Sequence, residues 1–98
     1  MAFEIILKKR FLYKVTKTLA YLEKEWSQDV ALAFLQKIDR RLLQLSQQPY
    51  LGTASQKVSN VRGALITRHN RMYYKVKDNL VTILNMYDTR MKPSKNPY

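Results

Sequence analysis

The hydropathy pattern of the chain changes its period once, near the middle. Residues 3–7, FEIIL, form a short apolar run with two isoleucines and predict a first strand. Phe11, Val15, Leu19, Leu22 and Trp26 then recur every three or four residues and form one stripe, while Lys14, Lys17, Glu23 and Lys24 lie off it. That spacing predicts an amphipathic helix. Ser27 stands where the N-cap of a second helix would be. Ala31, Phe34, Leu35, Ile38, Leu42 and Leu45 line the inner face of that helix, and Lys37, Arg40, Arg41, Gln44 and Gln47 line its outer face. So short a connection makes the two helices an antiparallel hairpin. Pro49 ends the second one, because proline has no N–H to continue the ladder.

Residues 51–63 are polar and aperiodic and read as a loop. Beyond Gly63 the period falls to two. Residues 64–67 are strand-like, and 72–76 alternate, with Tyr73, Lys75 and Lys77 on one face and Met72, Tyr74 and Val76 on the other. His69-Asn70 and Asp78-Asn79 are the expected turns. Residues 80–87, LVTILNMY, are apolar on both faces, which places them centrally in a sheet. The predicted fold is α+β. An N-terminal strand and an antiparallel helical hairpin pack on a small, mainly antiparallel C-terminal sheet, within one domain spanning 1–98. The first strand joins the C-terminal meander, since alone it leaves its backbone groups unpaired. The chain after Pro93 is expected to fray.

Composition narrows the chemistry. Cysteine is absent, histidine occurs once and glycine twice. Disulfides and thiolate metal sites are thereby excluded, and so are glycine-rich phosphate loops. No cofactor or metal is expected. Ser59, His69 and Asp88 are the makings of a triad only by composition, and nothing around them supports it. His69 reads as a solvated turn residue, with general acid–base work as its sharper alternative. The opening MAFEIILKKR has too short an apolar run for a signal peptide, and its basic residues follow that run. No stretch approaches a membrane span, so a soluble cytoplasmic protein is expected. Charge changes the picture most. Eighteen Lys/Arg face seven Asp/Glu, a net +11 and a pI near 10.1. So large an excess repels itself in a compact state and points to an anionic partner, nucleic acid first.

The basic residues of the second half are the candidates for binding a target or nucleic acid. They are Arg62, Arg68, Arg71, Lys75, Lys77, Arg90 and Lys92, and all fall on or beside the meander strands. Adjacent strands lie only ~5 Å apart, so these cations are expected to converge on one rim, interleaved with Tyr73, Tyr74, Tyr87 and Tyr98. Tyr74 shares a face with Met72 and Val76 and reads as core. Arg90 follows the central strand, and its planar fork suits phosphate. Cleavage of RNA through its 2′-hydroxyl would need such cations at the phosphorane, together with a proton donor and acceptor.

Three segments, FLQKIDRRLLQLSQQPYLG, ALITRHNRMYYKVKDNLVTIL and YDTRMKPSK, resemble in order and spacing the RelE/ParE superfamily of bacterial type II toxins. The resemblance covers nearly the whole chain, and the ending is similar to the Asp-Thr-Arg-x-x-Pro signature of a ParE-like branch. It implies a small toxin of a plasmid-stabilisation or addiction system, neutralised in a hetero-oligomer by an acidic cognate antitoxin. In the ParE branch the target is DNA gyrase and no catalytic set is kept. In the RelE branch the toxin is a ribosome-dependent mRNA endonuclease. Its basic residues would correspond to Arg68, Arg71 and Arg90, with Tyr98 or His69 in proton transfer. The tyrosine or histidine that such enzymes carry after the last arginine is not matched at that distance, where Asn96 stands, and Tyr98 is the nearest ring. The ParE-like reading leads. The alternatives are the endonuclease and a non-toxic nucleic-acid-binding module.

Overall fold

The computed structural model describes residues 2–98. The chain opens with strand β1 (Glu4–Leu7), followed by helices α1 (Lys9–Glu25) and α2 (Gln28–Gln47). Strands β2 (Thr53–Ala54), β3 (Val61–Thr67), β4 (Asn70–Lys77) and β5 (Leu80–Asp88) complete a five-stranded sheet in the order β1-β5-β4-β3-β2. β1 lies parallel to β5, and every other neighbour is antiparallel. The α+β expectation therefore holds. The first strand does join the meander, at its far edge, and β5 is interior because β1 and β4 flank it.

Local chemistry sets the element ends. The Ser27 hydroxyl accepts the Val30 N–H at 3.1 Å and starts α2. α2 stops at Gln47, two residues before Pro49. Asp78 takes the left-handed φ of 55° that the tight β4–β5 hairpin requires. Gly52 allows a close approach that no other residue would. A Cβ there would lie 2.6 Å from the Tyr74 hydroxyl and 2.7 Å from the Gly63 carbonyl. Tyr74 is fully buried, and its hydroxyl accepts the Gly52 N–H at 2.9 Å.

The helical hairpin covers one sheet face. Phe11, Val15, Phe34, Ile38 and Leu45 meet Ala64, Met72, Tyr74, Val81, Ile83 and Met86 in one apolar cluster. The core alternation along β5 breaks between Ile83 and Met86. Tyr74 pairs with Ile83 but Tyr73 with Asn85, so Leu84 is an extra, bulged residue. Past the bulge Met86 returns to the helix side, and Asn85 and Tyr87 turn to the other. This bulge is one reason β5 reads as apolar on both faces.

Four expectations need correction. Trp26 does not continue the buried stripe of α1; it sits past the helix end and is 71% exposed. The span 51–63 is not all loop, since β2 pairs with β3 and β3 begins at Val61. The β3–β4 turn is Arg68-His69, with Asn70 already in β4, because the Thr67 hydroxyl accepts the His69 N–H and the Asn70 side-chain amide. Finally, the chain after Pro93 does not fray. It makes a short 3₁₀ turn (Pro93–Lys95) and docks on the sheet.

Candidate functional site

The face of the sheet away from the helices is covered at one end by the C-terminal segment. The Asn96 amide donates to the Tyr73 hydroxyl at 2.9 Å, and the Tyr98 N–H returns to the Asn96 side-chain oxygen at 2.9 Å. The Tyr98 ring stacks on Tyr73, with centroids 5.0 Å apart and planes at 19°. Tyr87 meets both rings, edge-on to Tyr73 at 6.3 Å and tilted to Tyr98 at 6.0 Å. From the β2–β3 loop, Ser55 Oγ donates to the Tyr98 carbonyl and Lys57 Nζ to the Pro93 carbonyl. Arg71 faces Tyr87 across the strands, and its aliphatic stem lies over Gly63. A cavity of about 290 Å³ remains among Lys57, Arg71, Tyr73, Tyr87, Asn96 and Tyr98.

Arg90 stands beside this cluster, just past β5. Its own N–H donates to Asp88 Oδ1 at 2.8 Å, its Nε to the same oxygen at 3.0 Å, and its Nη2 to Oδ2 at 2.7 Å. The hydrogen bond from the Arg90 side chain holds the Asp88 carboxyl down at about 2, and Asp88 in turn raises Arg90. One fork of the guanidinium is thus taken, while Nη1 remains for a ligand. Thr89 stitches this segment to the β3–β4 turn, donating its N–H to the His69 carbonyl at 2.9 Å and its hydroxyl to the Arg68 carbonyl at 2.7 Å. Arg68, Arg71 and Arg90 therefore share one end of the sheet.

The expected single rim of cations does not form. Lys77 pairs with Leu80 at the opposite end of β4, six residues from Arg71 and so about 20 Å away. Lys75 is exposed between them. Arg62 works in the scaffold: its guanidinium donates to the Gly52 carbonyl at 2.8 Å and lies 5.2 Å from the Tyr50 ring. Lys92 is exposed beyond Arg90. His69 sits half-buried in the turn, where its N–H donates to the Thr67 hydroxyl at 3.1 Å.

Two lysines that the pattern left out stand at the site. Lys57 lies in an aperiodic loop and carried no signal. Lys14 was legible in principle, since Lys14, Thr18 and Tyr21 share a helical stripe of their own. Its Nζ donates to the Met86 carbonyl at 3.1 Å and lies 3.8 Å from the Tyr87 ring centroid. Burial, and then the nearby Lys17, lower its pKa. Among the described residues no group of three or more His, Asp or Glu is placed to hold a metal ion, and no helix is long and apolar enough to cross a membrane.

A sequence model of the family described as "ParE toxin of type II toxin-antitoxin system, parDE" matches residues 5–93. The chain belongs to that family. It is a type II toxin of the RelE/ParE superfamily. Solved structures share the fold of this ParE-family chain at low identity. The chromosomal ParDE TA system from P. aeruginosa superposes with a TM-score of 0.75 at 17% identity, over 89% of this chain and 96% of that one. A copper-bound mutant toxin from Helicobacter pylori gives 0.66 at 18%, over 89% and 94%. A mutant of E. coli toxin RelE in the free state gives 0.64 at 15%, over 92% and 86%. No curated protein sequence matches the chain.

Proposed function

We propose that this toxin acts in the cytoplasm by binding DNA gyrase, as a binding protein rather than an enzyme, and that an acidic cognate antitoxin neutralises it in a hetero-oligomer. One observation carries the choice of branch. The position after Arg90 where endonucleolytic relatives would carry a proton-transferring ring holds Asn96, and Asn96 is spent on the Tyr73 hydroxyl. Arg90, held by Asp88, and Arg71, beside the small cavity, remain as cations at that end of the sheet, which suits recognition of an acidic surface more than proton transfer. The net +11 supports an acidic antitoxin. In a purified supercoiling assay the toxin should poison gyrase, and the antitoxin should reverse the effect. Supercoiling that survives an excess of folded toxin sinks this reading.

A second reading has its own support. Lys57, Arg71 and Tyr98 converge around the small cavity on the sheet, the cations and ring that a ribosome-dependent mRNA endonuclease would use. Under that reading Arg71→Ala abolishes new mRNA ends on translating ribosomes while the fold survives. Purified ribosomes and mRNA that yield no new ends remove it. If induction of the chain arrests neither replication nor translation, a non-toxic binding module takes the place of both.

A further inference from the structure

A second surface lies around the corner from the open face. β1 pairs with β5 only as far as Ile83, so from Leu84 onward that edge of β5 has no strand beside it. α1 runs past the gap, and Lys14 Nζ caps the Met86 carbonyl exposed there. An open groove of about 820 Å³ remains between helix and strand end. One wall carries Lys14, Lys17, Tyr21 and Trp26, and the other carries Tyr87 and Arg90. From Lys14 to Trp26 is twelve residues, about 18 Å along the helix axis.

The groove has donors and flat rings to spare. Trp26 is 71% and Tyr21 57% exposed, a costly arrangement for two large side chains unless something covers them. Its one carboxylate, Asp88, is consumed by Arg90, so a ligand must bring the negative charge. Lys14 and Lys17 lie close enough to depress Lys14 further after burial has done so. We infer that this groove binds a short stretch of single-stranded nucleic acid, with phosphates on Lys17 and Arg90 and bases stacked on Tyr21 and Trp26. Its length favours an extended strand over a lone nucleotide. Its exposed rings favour bases over the side chains of an acidic peptide, which would answer the cations and leave the ring faces wet. The inference does not rest on the gyrase reading, which stands or falls by the supercoiling assay.

Trp26 is the only tryptophan in the chain, so its emission reports on this groove and not on the open sheet face. The experiment titrates the full chain with an oligo-adenylate of about eight nucleotides, with adenosine monophosphate and with polyglutamate, following Trp26 fluorescence and the anisotropy of end-labelled strand. The strand should quench Trp26 saturably and in step with anisotropy. Two phosphate contacts should give a salt slope of about −1.4. Lys17→Ala, at an exposed position, should flatten the slope by about 0.7 with the fold intact. Binding by anisotropy without quenching puts the strand elsewhere and overturns the inference. So does equal quenching by polyglutamate, which makes this a peptide groove, or by the mononucleotide, which makes it a free-nucleotide site. The absence of any binding overturns it as well.

Discussion

The two faces of the sheet are built on different principles. The helix side is closed by interlocking apolar side chains, with Ile83, Met72 and Tyr74 wholly out of water. The opposite side is closed at one end by a strap of the chain's own C-terminal residues, held by amide–hydroxyl and lysine–carbonyl hydrogen bonds and a tyrosine stack. Burial of apolar area is unconditional in water, whereas each polar contact of the strap exchanges for a contact with solvent at little net gain. One face is therefore structure, and the other is structure that a charged partner can compete with.

Mutations should separate the two. Ile83→Ala should cost roughly 2–5 kcal/mol in urea denaturation, because the cavity lies where nothing can collapse into it. An intact transition midpoint would mean the helix face is not the main source of stability. Gly52→Ala tests the polar contact that the buried Tyr74 hydroxyl makes with the Gly52 N–H. Its Cβ collides with the Tyr74 hydroxyl and the Gly63 backbone, and a loss of about 1–3 kcal/mol should follow, only partly relieved in a Tyr74→Phe background because the backbone clash remains. Tyr98→Ala removes the stack on Tyr73 and the tilted contact with Tyr87, worth about 0.5–1.5 kcal/mol per ring pair. It should release the strap and expose Tyr73 to solvent without moving the denaturation slope. A global loss as large as that of Ile83→Ala would erase the distinction between the faces.

The smallest effect is electrostatic. The Asp88 carboxyl titrates at about 2 in the folded chain against an ordinary 3.8. Between those values the unfolded chain binds more protons, so the contribution present at neutral pH is lost as pH falls through about 2. With side-chain exposures of 66% for Arg90 and 44% for Asp88, solvent screens the pair and the stability change should be slight. A carboxyl NMR titration reads it directly. Arg90→Gln should return the Asp88 midpoint toward 3.8, and a midpoint that stays near 2 would assign the shift to something other than this arginine.

These residues also mark how far the sequence could be read. Helices and meander were legible because their apolar positions keep one period over many residues and because Ser27 and Pro49 punctuate them. The strap was not, since its contacts are between single polar groups far apart in sequence, such as Asn96 with Tyr73, and no periodicity encodes those. β2 is too short to carry a pattern. Trp26 fits the helical stripe by spacing, yet the helix ends one residue before it. Arg71 and Arg90 could be placed at one end of the sheet from the strand order, and the six-residue spacing within β4 already sets Lys77 about 20 Å from Arg71; what the pattern did not carry is that Arg62 is held by the Gly52 carbonyl.

The parallel pairing of β1 with β5 has a consequence in time. Glu4 waits for Leu80 before its edge can close. At about 5–20 residues per second, the 76 residues that follow Glu4 up to and including Leu80 take roughly 4–15 seconds to emerge from a ribosome. Until then β1 has no partner and α1 no strand to seat upon. A chain cut short before Leu80 exposes two naked edges, those of β1 and β4, and should be sticky rather than half-active. The toxin comes into being only as its last strand leaves the machine that made it.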